Sequence, residues 1–270
     1  MEATARVSSI FIYPVKSCRG ISVSQAPLTP TGFRWDRNWL VVNYKGRAYT
    51  QRVEPKLALV EIELPDEAFS EGWEPTKNSF MKIKAPGMSV LKISLMKAYQ
   101  LVRFNAASET RLIDPNYAPG HKIMFSDLFP FMLISQGSLD ALNQLLKEPV
   151  PINRFRPNIL VEGCEPFSED LWTEIRISKV TFEGVKLCSR CKIPTINQDT
   201  GIGGTEPNET LMKIRSDKVL RPNMKQQGKI YFGQNLVWKE NPSEEHGKLV
   251  KVGDPVSVLK KVSSAAEAAA

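Results

Sequence analysis

The stretch EIRISKVTFEGVKLCSRC, residues 174–191, carries two signals that guide the interpretation of the whole chain. Its first part, EIRISKVTFEGVKL, is rich in β-branched and aromatic side chains that often alternate with polar ones, which is typical of strands. It ends in two of the four cysteines of the chain, Cys188 and Cys191. Because the polar segment NQDTG follows Pro194, the stretch predicts β structure that leads into a loop carrying a CxxC pair.

Segments of the same kind recur along the chain, separated by Gly, Pro and Asn. They are IFIYPV (10–15), WLVVNY (39–44), LALVEIEL (57–64), SFMKIK (79–84), VLKISL (90–95), QLVRF (100–104), NILVEG (158–163), KIYFGQNLVW (229–238) and KLVKVGDPVSVL (248–259). Two helices are predicted, SLDALNQLLKE with a cap at Ser135–Ser138 and NETLMKIRSDK after Pro207. Short strands with few helices predict a mainly β fold, a barrel or a sandwich with appended helices.

Composition narrows the class of protein. The chain has 270 residues and a formal net charge of +7, and its Lys and Arg residues are scattered singly along the sequence. A nucleic-acid binder would gather them into a stripe, so the pattern favours a pocket for a small anionic ligand or a docking face for an acidic protein. Four cysteines do not make a disulfide scaffold. No apolar run reaches the length of a membrane-spanning helix, and no targeting segment is visible.

The spacing of Cys188 and Cys191 admits four interpretations. A structural zinc site would need further ligands, and the remaining candidates are isolated in the sequence: Cys18, Cys164, His121 and His246. A thioredoxin-type redox pair prefers a helix start, which the loop signals do not favour. Two half-buried cysteines at a strand end would also fit. In the fourth interpretation, one cysteine is the single thiolate ligand of a metal carried by an anionic organic cofactor, which requires Arg, Lys and hydroxyl groups for its phosphate.

Seven blocks of the sequence carry a resemblance to a known family. They are YPVKSCRG (13–20), WDRNWLVV (35–42), FPFMLISQGSLDALN (129–143), RFRPNILVEG (154–163), LCSRCKIPTINQDTG (187–201), YFGQN (231–235) and KVGDPV (251–256). In this order, over nearly the whole chain, they resemble the MOSC family, named after the C-terminal domain of molybdenum-cofactor sulfurases, with its N-terminal β-barrel partner. Within the family, the chain looks most similar to the mitochondrial amidoxime-reducing components, in a plant-like version.

The resemblance implies a mononuclear molybdenum enzyme with Mo-molybdopterin, a pterin cofactor that ends in a phosphate. By its position in CSRC, Cys191 would be the metal ligand and catalytic residue, with Cys188 as a neighbour. The other residues that the resemblance implies as cofactor contacts are Lys16, Ser17, Arg37, Arg156, Asn158, Ser189, Arg190 and Asn235. Guanidinium and ammonium groups suit a phosphate, and an asparagine amide suits pterin edges. Arg156 also precedes an apolar strand, so we expect it to be partly buried, and a buried Arg needs an anion.

The activity implied by the resemblance is reduction of N-hydroxylated compounds, such as amidoximes, hydroxamic acids and hydroxylamines, to amidines or amines. Electrons would come from a cytochrome b5-type donor and its NADH-dependent reductase. The compartment would be mitochondrial and outer-membrane-associated, or else cytoplasmic, and we expect neither nucleic acid nor an integral membrane segment. Two other functions remain as alternatives to a reductase. One is a molybdenum-cofactor or sulfur carrier without reductase turnover, and the other is a non-enzymatic module with a zinc clip at CSRC.

We expect an N-terminal β-barrel-like domain over residues 1–122, a MOSC β-barrel domain over 123–262 and a disordered tail over 263–270. The chain departs from the family near residues 96–100, where a longer segment is usual, so the N-terminal domain is expected to be shortened there. Asn235 stands where animal relatives tend to have Tyr, and Phe129 where a small hydroxyl residue can occur. Both positions are expected to tune the pocket and its substrate range.

Overall fold

A computed structural model describes residues 5–96, 102–103, 111–239 and 248–268. The strands of the first part are β1 (Ala5–Ile12), β2 (Ile21–Val23), β3 (Gln25–Thr29), β4 (Gly32–Phe33), β5 (Trp39–Leu40), β6 (Glu61–Glu63), β7 (Phe80–Lys84), β8 (Leu91–Ser94), β9 (Val102–Arg103), β10 (Arg111–Leu112) and β11 (Lys122–Ile123). Those of the second part are β12 (Phe131–Ser135), β13 (Ile159–Glu162), β14 (Trp172–Ile177), β15 (Val180–Ser189), β16 (Tyr231–Trp238), β17 (Leu249–Lys251) and β18 (Pro255–Lys261). The helices are α1 (Gln136–Asn143), α2 (Asn208–Ile214), α3 (Asp217–Leu220) and α4 (Ala265–Ala268).

A closed seven-stranded barrel forms the centre of the fold. Its strands run in the order β13-β12-β16-β15-β14-β18-β1, and β1 returns to pair with β13. Only β12 and β13 are parallel among these pairs, with Leu133 beside Ile159. The fold class expected from the sequence, mainly β with a barrel and a few helices, is confirmed. Because β1 is the first strand of the chain, the N-terminal segment supplies the strand that closes the barrel.

Alternate side chains of the strands point inward and fill the barrel. In β14, Trp172, Ile175 and Ile177 are buried, and in β15 Val180 and Phe182 pack into the same core. A Cβ on Gly184 would lie 1.9 Å from the carbonyl oxygen of Trp172, so only glycine permits this approach. The register of β15 against β16 shifts just after Gly184. A bulge of this kind re-aims the following side chains, which here lead to the CSRC loop.

The remaining strands of the described residues, β3 to β11 and β17, form small sheets outside the barrel. They include a three-stranded sheet, β6-β7-β8, and a sheet in which β3 pairs with both β4 and β17. The strand predicted over LALVEIEL is only half correct, because Pro55–Leu59 form a 3₁₀ helix before β6. Glu54 caps this helix through the Lys56 backbone N–H, and Pro55 stands at its start. The shortened connection expected near 96–100 lies, from residue 97 on, outside the described residues.

Both predicted helices are present. The Ser135 hydroxyl accepts a hydrogen bond from the backbone N–H of Ser138 at 3.0 Å, which caps α1. Leu139 and Leu142 are buried, as the helical periodicity predicts. Within the segment expected to be a disordered tail, α4 forms one helical turn, and its Ala268 is buried in a cluster with Leu187. No helix in the described part of the chain is long and apolar enough to cross a membrane.

Candidate functional site

A cavity of about 590 Å³ lies where the CSRC loop meets the N-terminal segment. All nine residues predicted to contact a cofactor line this cavity, although they come from five separate blocks of the sequence. They are Lys16, Ser17, Arg37, Arg156, Asn158, Ser189, Arg190, Cys191 and Asn235. The walls also carry apolar side chains, including Phe125, Phe155 and Met132. A concave site with a few convergent polar groups is the usual form of a small-molecule pocket.

The CSRC loop is fixed from both sides. Strand β15 ends at Ser189, and the backbone N–H of Arg190 donates to the Ile230 carbonyl at 2.8 Å. The side-chain amide of Asn208, on α2, donates to the Cys191 carbonyl at 3.0 Å. Farther along the loop, buried Arg154 donates to the Pro194 carbonyl at 2.7 Å. These contacts hold the loop in one conformation without involving either cysteine sulfur.

The two cysteines have different surroundings. The Cys188 sulfur accepts a hydrogen bond from Arg190 Nη1 at 3.1 Å, and Cys188 packs against an apolar cluster. The Cys191 side chain instead interacts electrostatically with Arg52. Burial alone would lower the pKa of Arg52, but its interactions with Cys191 and Asp127 raise it above its usual value. Cys191 is therefore the cysteine whose sulfur points to the charged opening of the cavity.

Two arginines share one aromatic ring at the back of the cavity. The guanidinium carbon of Arg156 lies 4.2 Å from the Tyr13 ring centroid, and that of Arg37 lies 4.6 Å from it. Both distances are within the range of a cation–π interaction. Burial raises the pKa of Tyr13 to about 12, so the ring stays neutral at physiological pH. Tyr13 thus holds two cations side by side where their mutual repulsion would otherwise separate them.

Tyr13 itself is held rigidly. Its backbone N–H donates to the Asp36 carboxylate at 2.8 Å, and its carbonyl accepts from the Arg37 backbone N–H at 2.8 Å. A Cβ on Gly20 would lie 2.5 Å from the Tyr13 ring, so glycine is required for this packing. The first and second blocks of the sequence, YPVKSCRG and WDRNWLVV, therefore form one structural unit around this tyrosine.

Arg156 and Arg37 differ in how their charges are balanced. Arg37 pairs with Asp36 at 2.5 Å and donates to the Asn158 side chain at 3.1 Å. Arg156 is buried and has no carboxylate as an ion-pair partner in the described part of the chain. Burial, together with the neighbouring Arg37 charge, lowers the pKa of Arg156 to about 10. It remains a cation at neutral pH, and a buried cation without an anion is a costly arrangement that a bound anion would relieve.

Backbone strain is concentrated at the same place. Ser17, Arg37 and Arg156 have φ values of 71°, 51° and 56°, in the left-handed region that non-glycine residues rarely adopt. They make up half of the non-glycine residues with positive φ in the described ranges. Each such residue costs about 1–3 kcal/mol, and strain of this kind tends to cluster at functional sites. Here it directs three predicted contact residues toward one cavity.

Three charged side chains joined by ion pairs border the opening of the cavity. Asp127 forms ion pairs with Lys16 and with Arg52, the latter at 2.7 Å. Although burial alone would raise it, these two cations hold the pKa of Asp127 at about 2. Burial lowers the pKa of Lys16, against the opposing effect of Asp127. The carboxylate is thus ionised at neutral pH and orients both cations.

The two asparagines of the cavity, Asn158 and Asn235, differ in their contacts. Asn158 is almost fully buried, and its amide donates to the Phe11 carbonyl at 3.2 Å while its oxygen accepts from Arg37. Its amide therefore positions Arg37 as well as lining the cavity. Asn235 lies in β16, paired with Met132 on β12 and with Lys186 on β15. It faces the cavity from the centre of the sheet, so its position is fixed by strand register.

The sequence did not single out four charged residues of this site. Arg52, Asp127, Lys186 and Lys229 line the cavity beside the predicted residues. Arg52 is one of the scattered cations and belongs to none of the seven blocks. Asp127 stands two residues before FPFMLI and also lies outside every block. Only the fold brings these four side chains to the same opening.

The described residues provide no closed zinc site. No group of three or more His, Cys, Asp or Glu side chains comes together anywhere in those ranges. Cys18 is buried in the core, which raises its pKa to about 12, and His121 bonds to the Trp238 carbonyl at 2.9 Å. His246 lies outside the described residues. The zinc-clip interpretation of CSRC therefore lacks a ligand set here.

Two family models match the sequence over most of the chain. The MOSC N-terminal beta barrel domain matches residues 4–113, and the MOSC domain matches residues 120–257. The chain belongs to the MOSC family.

Among its relatives are proteins named for a specific activity. It is 33% identical to mitochondrial amidoxime-reducing component 1 of Homo sapiens, over 96% of this chain and 84% of that protein. It is 34% identical to mitochondrial amidoxime reducing component 2 of Bos taurus, over 95% of this chain and 84% of that protein. A molybdenum cofactor sulfurase of Solanum lycopersicum is 29% identical, over 94% of this chain but only 36% of the sulfurase.

Proposed function

We propose that this protein is a molybdenum-cofactor-dependent reductase that converts N-hydroxylated compounds, above all amidoximes, to amidines or amines. The observation that carries the proposal is the cavity in which Cys191 and the unpaired, buried Arg156 meet. The relatives named as amidoxime-reducing components support the substrate class. Their similarity extends over nearly the whole chain, so both the barrel and the N-terminal part are included.

The cavity fits a cofactor that ends in a phosphate. Its lining contains seven cationic side chains and one carboxylate, Asp127, which is already paired. Arg156 has its charge buried without an anion, and Arg190 Nε is buried without a hydrogen-bond partner in the described part of the chain. Both groups would be satisfied by acceptor oxygens or ring nitrogens of a bound anion. Volume, charge and unsatisfied donors therefore agree with Mo-molybdopterin as the ligand.

In this proposal the chain holds the cofactor through groups on separate elements. Arg37 and Arg156 would bind the anionic end, and Ser189, Arg190 and Asn235 would contact the remainder. Lys16, Ser17 and Asn158 would complete the binding set. Cys191 would coordinate the metal through its sulfur. When bound, the cofactor supplies the oxygen-abstracting redox centre, and the protein supplies binding, orientation and electrostatics.

The reaction requires reducing equivalents and protons. Conversion of an N-hydroxy group to N–H with release of water takes two electrons and two protons. We propose that the electrons come singly from a cytochrome b5-type haem protein, which is reduced by an NADH-dependent reductase. Arg52 and Lys16, at the opening, are cations held in place by Asp127 and would orient a polar substrate. Because these relatives are named as mitochondrial, we propose a mitochondrial location.

A cofactor or sulfur carrier is the second candidate. The similarity to a molybdenum cofactor sulfurase favours it, although the chain spans about a third of that protein. A carrier would retain the cofactor but would not reduce a substrate. The two candidates are therefore separated by turnover rather than by binding.

The test begins with protein purified from a host that makes the cofactor. Molybdenum and zinc are counted per chain, and oxidised pterin is measured by fluorescence. Benzamidoxime reduction to benzamidine is then followed with dithionite-reduced methyl viologen as the electron source. Cys191→Ser serves as the inactive control, with Cys188→Ser as its matched partner.

Three results are informative. Molybdenum and pterin near one per chain with benzamidine formation support the reductase. Cofactor without turnover moves the assignment to the carrier. Zinc without pterin refutes both and returns the CSRC pair to a structural role.

A further inference from the structure

A basic loop borders the cavity, and only its last two residues line it. The loop comprises residues 217–229, from the start of α3 to the residue before Ile230. Its last residues, Gly228 and Lys229, are exposed and line the cavity. The backbone N–H of Asp217 donates to the Lys229 carbonyl at 2.9 Å, which closes the loop on itself. The loop is therefore an ordered projection beside the opening.

The loop buries its negative charge and exposes its positive charges. Its one carboxylate, Asp217, is buried and accepts hydrogen bonds from the backbone N–H groups of Gln227 and Lys218 at 2.5 and 2.9 Å. Lys218, Lys225 and Lys229 are exposed, and no carboxylate in the described ranges forms an ion pair with any of them. The segment 218–239 contains no Asp or Glu at all. The exposed charges of the loop are therefore all positive.

Exposed apolar side chains accompany these cations. Met224 is 56% exposed and Val219 is 49% exposed on the loop, and Leu128, which lines the cavity, is 58% exposed. A mixture of apolar contacts and a charged rim is typical of protein–protein interfaces. Lys218 and Lys225 do not line the cavity, so the binding of a cofactor inside it does not account for their charge.

We propose that the loop 217–229 is the docking surface for the electron-donor protein, and that this donor presents an acidic face around its haem. The inference rests on the reductase function proposed above. An electron donor has to approach the cavity opening, and the loop is a cationic surface beside this opening whose lysines, unlike Lys16 and Arg52, are not paired with a carboxylate in the described ranges. Opposite charge would steer the encounter and orient the donor, with an effect mainly on the association rate.

The experiment reverses charge at two loop positions that do not line the cavity. The variant Lys218→Glu/Lys225→Glu is compared with Lys179→Glu/Lys251→Glu, which changes the net charge equally. Lys179 precedes β15, and β15 has ten residues, so this control lies about 30 Å from the CSRC end. Lys251 is near the same end, because Ser178 donates to the Pro255 carbonyl at 3.0 Å.

Benzamidoxime reduction is measured with two electron sources, methyl viologen and cytochrome b5 with its reductase. For the loop variant, we expect turnover with methyl viologen within about twofold of wild type and a KM for cytochrome b5 raised about 10-fold at low salt. The difference should shrink at about 0.5 M salt, where charges are screened. The control variant should retain the wild-type KM.

The outcomes separate the two proposals. Loss of methyl viologen turnover in the wild-type protein would overturn the reductase function and the docking inference with it. Wild-type turnover with an unchanged KM for cytochrome b5 in the loop variant would overturn the docking surface alone. Binding of wild type, but not the loop variant, to phosphatidylserine vesicles, with KM unchanged, would assign the loop to a membrane surface instead.

Discussion

Replacement of Arg156 by methionine should stabilise the cofactor-free protein while weakening its hold on the cofactor. In the folded chain, burial lowers the pKa of Arg156 from its ordinary value to about 10. A base whose folded pKa lies below its unfolded pKa opposes folding at every pH below the folded value. At pH 7 the whole effect is present, and at about 1.4 kcal/mol for each pH unit it amounts to about 3 kcal/mol.

Methionine at position 156 removes the cost of burying the charge, but it also removes one favourable contact. The interaction of Arg156 with the Tyr13 ring is worth about 1–2 kcal/mol in a desolvated setting. The left-handed backbone at residue 156 strains Met as much as Arg, so the strain energy is the same in the variant and the wild type. The net gain for the cofactor-free protein is then about 1–2 kcal/mol, or a rise in Tm of about 2–4 °C for a chain of this size.

The assay uses protein from a host unable to make the cofactor, and Tm is measured by calorimetry. The same variant from a competent host is analysed for pterin, which should fall well below one per chain. Arg154→Met is the control, because Arg154 is equally buried but donates to the carbonyls of Pro194 and Glu206. It should lose about 1–3 kcal/mol as those carbonyls lose their partner. A lowered Tm for cofactor-free Arg156→Met, with pterin content unchanged, would refute an anion-binding role.

Three further predictions concern the cavity and its support. Cys191→Ala should abolish benzamidoxime reduction, whereas Cys188→Ala should cost less, since it removes one hydrogen bond from Arg190; equal loss of molybdenum in both would contradict the single-ligand assignment. Tyr13→Phe should retain wild-type pterin content and Tyr13→Leu should lose it, because only the ring face holds the two guanidinium groups. Burial raises the pKa of Cys18 to about 12, so Cys18 should resist a thiol reagent at pH 8 that labels Cys191 readily. Rapid labelling of both cysteines would show that the core opens.

Local sequence patterns were sufficient for much of the architecture. Strands β7, β8, β13 and β16 lie within segments predicted to be strands, and β14 and β15 overlap the predicted segment EIRISKVTFEGVKL. Helix α1 begins at the predicted serine cap. The prediction failed at Leu57–Val60, where the apolar run suggested a strand. Glu54 and Pro55 start a 3₁₀ helix there, and capping and proline geometry outweigh β propensity over so short a run.

The nine predicted site residues could be named from their motifs, but their roles in the cavity could not be distinguished. The sequence does not show that Asn158 braces Arg37, or that the Cys188 sulfur binds Arg190 while the Cys191 sulfur faces Arg52. These relations join side chains of different blocks. They depend on the barrel closing through β1, which no local pattern encodes.

By itself, the sequence determined the β-rich class, the helix caps, the scattered positive charge and the set of motifs that define the family. These are properties of short windows, because propensity, capping and spacing act over a few residues. The tertiary structure alone decided that Tyr13 would carry Arg37 and Arg156 on one ring, and that Asp127 would orient Lys16 and Arg52. Burial changes the balance of charge only where distant segments pack together, so the unpaired cation that marks the site exists only in the folded chain.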